Sequence, residues 1–130
     1  MNVYIMNDLY DDGDTNNSGV AWYPDLSMTQ ANTSRVVYNG WYVGDNTDEN
    51  FRSVLTHEFG HWLNLPHTFA GNGCSLANET FCGLTGDRSC DTPQMSLSTD
   101  MYENSKNCLG QPTNTENFMN YTSNHAMFTE

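Results

Sequence analysis

The chain has 130 residues, enough for one domain with a single core and too few for two. Sixteen acidic against four basic side chains leave a net charge of −12. That field disfavours nucleic acid and anionic membrane and suits cationic partners, metal ions among them. Apolar residues make up 37%, with Asn, Thr, Ser and Asp in their place, which predicts a loop-rich domain rather than a helical bundle.

Val3–Met6 reads as a short strand at the start of the chain. Met1–Met6 is too short and lacks the basic start of a signal peptide, so a secreted form of this chain is expected to be a mature form or a fragment. No stretch approaches the roughly 18 apolar residues that span a membrane. Asn7–Ser18 is polar and acidic; Asp12, Asp14 and Asn16 open like a calcium loop, but the glycine and glutamate that complete one are missing. Gly19–Tyr23 is a second strand stopped by Pro24, Asp25–Ser34 a polar connection, and Arg35–Tyr38 a third, β-branched strand ended by Asn39-Gly40. Trp41–Val43 extends that strand or packs beside it.

The main helix is expected over about 48–64. Thr47 can cap it, Asp48 and Glu49 suit its positive end, and Phe51, Val54, Leu55, Phe59, Trp62 and Leu63 recur at helical spacing. Pro66 ends it near Asn64. From Phe69 to Asn117 no long periodic segment occurs, and a structureless run of that length needs ties. Cys74, Cys82, Cys90 and Cys108 lie there, spaced too widely for a zinc-finger site and better read as two disulfides formed in an oxidising compartment.

The chemistry concentrates in one stretch. His57-Glu58-Phe59-Gly60-His61 on a helix sets two imidazoles one turn apart on one face, where they can share a Zn²⁺. His67 supplies a third neutral nitrogen, leaving one position open, as a catalytic zinc requires. Glu58, beside the first ligand, can act as general base towards a water and pass the proton to a leaving amine. For the chain to turn between His61 and His67, a left-handed residue is needed, and Asn64 is the residue type that tolerates this best after glycine.

His57 to Phe69 resembles the extended zinc signature of the metzincins, and within them that of the pappalysins, which also continues into Thr68-Phe69. Gly86-Asp87-Arg88-Ser89-Cys90-Asp91-Thr92-Pro93 and Asn117-Phe118-Met119-Asn120-Tyr121 resemble two further segments of that family, the second being its Met-turn. Met127-Phe128-Thr129 matches its closing region in part. The resemblance implies an α+β, metzincin-like (zincin) catalytic domain of a secreted zinc endopeptidase acting on proteins or peptides. A small mixed sheet and the active-site helix would form an upper subdomain over residues 1–64, and a loop-rich, disulfide-bonded lower subdomain would follow over 65–130. It further implies Met119 as a hydrophobic floor beneath the zinc, Tyr121 as a second catalytic group near the oxyanion, and Asp87 with Thr92 as calcium ligands. Arg35–Tyr38 would be the edge strand that receives substrate, through Val36 and Val37, and Asn124 would line the specificity pocket.

The sequence departs from the family at several positions. Asn64 replaces the usual glycine, and Asn124 an aspartate found in relatives that cleave beside basic residues. Met95 stands where a calcium-binding glutamate is expected, and Ala126 at a usual cysteine. Of the three connectivities that four cysteines allow, Cys82–Cys108 with Cys74–Cys90 is expected. Only residues 1–56 precede His57, so the upper subdomain is shortened. Apolar sheet surface is then expected to be covered by a homodimer or by a missing N-terminal segment. Two alternatives remain: a non-catalytic zinc-binding remnant, and an acidic calcium-dependent binding module.

Overall fold

The computed structural model describes residues 1–43, 53–71, 80–84, 86–92, 106, 110, 115–122 and 124–128. The expected helix start at Thr47, Cys74, Met95, Cys108 and Thr129 lie outside the described residues. The chain divides into two compact units, Met1–Asn64 and Leu65–Glu130.

The first unit is a three-stranded mixed sheet with one helix packed on it. Strands β1 (Asn2–Met6), β2 (Gly19–Ala21) and β3 (Arg35–Asn39) lie in the order β1-β3-β2, with β1 parallel and β2 antiparallel to β3. The register pairs Val3 with Val36 and Tyr4 with Val37 on one side, and Val20 with Val37 on the other. The β-branched run in β3 therefore sits at the centre, and Val36, Val37 and Tyr38 are buried. This corrects one expectation. β3 is not an edge strand: both of its hydrogen-bonding edges are taken, so Val36 and Val37 cannot receive a substrate chain. The open edges belong to β1 and β2.

Asn39 holds the acidic loop against the sheet. Its Nδ2 donates to the carbonyls of Thr15 and Asn17 at 3.0 and 2.7 Å, and its Oδ1 accepts the Trp41 N–H at 2.9 Å, capping a 3₁₀ turn at Gly40–Tyr42. Trp41–Val43 thus leaves the sheet instead of extending it. Within the loop, Asp8 accepts the N–H groups of Tyr10, Asp12 and Gly13. These bonds, led by that of Gly13, hold its carboxyl below the usual range.

Helix α1 (Leu26–Gln30) forms inside the stretch read as a plain connection. Asp25 caps it by accepting the Ser27 N–H at 2.7 Å, and Asn32 leaves it with φ 57°. Asp25 followed two residues later by Ser27 carried that signal. Helix α2 (Val54–Trp62) packs on β2 and β3. At the edge of this unit Trp62 Nε1 donates to Ser34 Oγ at 3.2 Å, and the Arg35 guanidinium lies 4.2 Å over the Trp22 ring. Among the described residues β1 has no such cover: all five of its residues are exposed, Ile5 by 61%.

The described residues of the second unit are mostly turns. A 3₁₀ turn at Cys82–Leu84 is tied by a disulfide between Cys82 and Cys90, whose Cα atoms are 5.0 Å apart. This corrects the expected pairing: Cys82 cannot also bond Cys108, nor Cys90 bond Cys74. The positive-φ residues Gly86 and Arg88 fold the intervening chain back and close the shorter loop. At the end of the chain Asn117 organises a tight turn. Its Oδ1 accepts the Met119 N–H at 2.8 Å, its backbone carbonyl accepts the Asn120 N–H at 3.0 Å, and its Nδ2 donates to the Phe128 carbonyl. A parallel bridge from Asn117 to Met127 and the bond from Thr122 Oγ1 to the Thr115 carbonyl complete it.

Candidate active site

Helix α2 places His57 and His61 on successive turns, with ring centroids 4.7 Å apart and planes at 89°. Both are buried, at 8% and 9% exposure. The helix then stops: the N–H groups of Leu63 and Asn64 still bond to Phe59, Gly60 and His61 carbonyls, and Asn64 turns left-handed with φ 74°. That is the conformation its position demands, and it carries the chain on to Pro66 and His67. His67 is half-buried, stacked on Phe69 at 4.6 Å and 11°, with the Tyr121 ring edge-on at 4.8 Å.

One ligand atom from each of His57, His61 and His67 lies within 4.8 Å of the other two. Ligands about 2.0–2.1 Å from a tetrahedral zinc stand roughly 3.4 Å apart, so small rotations of the three imidazoles bring them onto one ion. Three neutral nitrogens with no thiolate suit zinc and leave a fourth position open. The residues present fit the metal.

Glu58 points away from solvent, with 6% exposure. Burial raises its carboxyl to about 7, opposed by a hydrogen bond from the Ala21 N–H. The register explains that donor. The Ser18 carbonyl accepts the Asn39 N–H at 2.9 Å. In the alternation of an antiparallel ladder this turns the backbone groups of Gly19 and Ala21 away from β3, toward the open edge of β2. Sequence reasoning missed β2 as part of the site. The isolated Gly19 in a strand pattern was the available signal, since such a glycine marks close approach by another group. Tyr23, just past β2, lies edge-on to His61 with centroids 5.6 Å apart.

In the second unit the Met119 side chain is 3% exposed, and its carbonyl accepts the Thr68 N–H at 3.2 Å. Tyr121 is 47% exposed beside His67 and Phe69. Asn124 is exposed and donates from Nδ2 to Thr115 Oγ1 at 2.7 Å. Thr68, Asp87, Ser89, Thr92, Asn117 and Met119 line one cavity. Burial lifts the Asp87 carboxyl to about 6, with the Ser89 N–H opposing and Asp91 reinforcing. Thr92 Oγ1 is buried with no hydrogen-bond partner among the described residues.

A small mixed sheet, the His57-Glu58-x-x-His61 helix, a third histidine after a left-handed turn and a Met-containing turn define the metzincin-type fold of zinc peptidases. The whole chain, residues 1–130, matches the peptidase M43 family described by pregnancy-associated plasma protein-A. The chain belongs to this family, the pappalysins. An extracellular metalloprotease of Sordaria macrospora is 32% identical over 130 residues, which is 94% of this chain and 41% of that protein. One from Aspergillus fumigatus is 40% identical over 91 residues, 66% of this chain and 26% of the relative. Mature mirolysin of Tannerella forsythia, solved in complex with a cleaved peptide, matches with TM-score 0.65 and 26% identity, over 99% of this chain and 47% of mirolysin. The chain therefore spans less than half the length of each of these proteins.

Proposed function

We propose that this chain is the catalytic segment of a secreted zinc-dependent endopeptidase. The convergence of His57, His61 and His67 beside a buried Glu58 carries the reading. His57, His61 and His67 would hold the zinc, which when bound acidifies a water to a pKa of about 7 and polarises a peptide carbonyl. Glu58 takes the proton of the attacking water and hands it to the leaving amine. Burial beside the first ligand places this carboxyl where it can serve both transfers. Tyr121, an exposed phenol beside His67, donates to the oxyanion that develops on the carbonyl. Met119 fills the floor beneath the ligands.

The open edge of β2 replaces β3 as the strand that receives the substrate main chain. The supporting observation is that the register turns the backbone groups of Gly19 and the Ala21 carbonyl outward, the Ala21 N–H being taken by Glu58, so an added strand would lie beside the base. Asn124 offers an uncharged amide to a substrate side chain. Asp87 and Thr92 form a second, oxygen-only cation site suited to calcium; a buried carboxylate and an orphaned hydroxyl facing one cavity support it. The bare edge of β1 is where a second copy of the chain would add. Relatives named extracellular metalloproteases support secretion.

The test is cleavage of an unfolded protein such as reduced casein by metal-loaded chain. We expect about one zinc per chain, activity abolished by a chelator and restored by zinc, and loss of at least about 1,000-fold in Glu58→Ala. Zinc binding without cleavage would make the chain a non-catalytic remnant, and equal cleavage by Glu58→Ala would assign the activity to another protein.

A further inference from the structure

We infer that Gly19 positions the general base: its missing side chain is the slot in which Glu58 lies against β2. The inference rests on the catalytic reading of Glu58 given above. A Cβ at Gly19 would stand 2.8 Å from Glu58 Cγ, 3.0 Å from Glu58 Oε1 and 3.1 Å from Val54 Cγ1. Real Cβ atoms do not make contacts as short as the first, so any side chain there displaces the glutamate.

Backbone conformation does not explain this glycine. Its φ lies outside the left-handed region, unlike those of Gly13, Gly71 and Gly110. It sits in register opposite Tyr38 in a regular antiparallel pair. Alanine there satisfies the strand better than glycine and restricts the unfolded chain more. On backbone grounds alone Gly19→Ala would thus be neutral or stabilising, so any cost of the substitution comes from the contacts of the new Cβ.

The positioning role follows from what holds the carboxylate. Glu58 is anchored at its Cα by α2 and at its carboxylate by the Ala21 N–H, two residues along β2 from Gly19. Between these anchors Cγ crosses the strand at the one position without a Cβ. Filling that position leaves the Cα fixed on α2 and pushes the side chain beyond it outward, so the carboxylate must leave the Ala21 amide. A general base misplaced by about 1 Å loses on the order of 100-fold in rate. None of the zinc ligands is among the atoms a Cβ at Gly19 would meet, and metal binding is expected to survive.

Gly19→Ala is therefore expected to bind zinc as the wild type does and keep KM within about twofold while kcat falls about 100-fold. In its crystal structure the Glu58 carboxylate should be displaced from the Ala21 N–H. A kcat within threefold of wild type, or a Glu58 side chain that has not moved, overturns the inference. Should Gly19→Ala not fold, Gly19→Ala with Glu58→Ala must, because the two shortest contacts are with Glu58 and the remaining one, Val54 Cγ1 at 3.1 Å, needs a shift of only tenths of an ångström; failure of the double variant also overturns it. A wild-type chain without peptidase activity refutes the catalytic reading alone, since the displacement in the crystal structure still decides the positioning claim.

Discussion

Among the described residues two carboxyls, those of Glu58 and Asp87, are buried. Glu58 is held by one backbone donor next to the histidines; Asp87 lies in the cavity of the second unit with Thr92. Asp87 gives a pH prediction that does not pass through the catalytic site. Its folded pKa of about 6 lies above the ordinary aspartate value of 3.8, chiefly because of burial. The folded chain then holds the proton more tightly than the unfolded chain. Its contribution to stability is complete below about pH 4, is lost as pH rises through 6, and is constant above. Asp87→Asn lacks this dependence. With metals chelated, the melting temperature of the variant relative to wild type should rise between pH 4 and 6 and then level off. Subtracting one protein from the other removes the histidine titrations common to both. Excess calcium should abolish the difference in slope, because the cation favours the ionised carboxylate. A constant difference across the range would show that Asp87 is not desolvated as described.

Among elements, β3 is the central strand where the resemblance suggests an edge, and the reason lies in pairing. Hydrophobic patterning marks Gly19–Tyr23 and Arg35–Tyr38 equally well as strands, because each is a short run of apolar and β-branched residues. Strand order is set by long-range hydrogen bonds that leave no periodic trace. The same limit applies to Cys82, whose partner depends on how Gly86 and Arg88 turn the chain. What could be read was local: the three histidines, the base beside the first of them, and the need for Asn64 to turn left-handed. The central position of β3 has a measurable consequence. Val36 is fully buried, so Val36→Ala removes two methyl groups from the core and should destabilise the chain by about 2 kcal/mol in urea. Under conditions where the variant is folded, its KM for a peptide should equal that of wild type. A raised KM at full folding would return β3 to the substrate edge.

At the scale of the whole molecule, two features oppose each other. β1 presents a bare edge with Val3, Tyr4, Ile5 and Met6 all more than 40% exposed, and such an edge invites pairing with another strand. The chain also carries a net charge of −12, which drives identical molecules apart. The repulsion acts over a Debye length of about 10 Å at 0.1 M salt and about 3 Å at 1 M, whereas the apolar contact is not screened. Salt should therefore decide between them. In sedimentation velocity the wild-type chain is expected to be monomeric at 0.01 M salt and to gain a concentration-dependent dimer by 0.5 M. Ile5→Lys places a charge on the strand without touching α2 or the histidines, and should remain monomeric throughout with its zinc content unchanged. If wild type and variant dimerise alike, the contact lies elsewhere. If neither does at any salt concentration, the exposed strand is not a self-pairing edge, and a second copy of this chain is not what covers it.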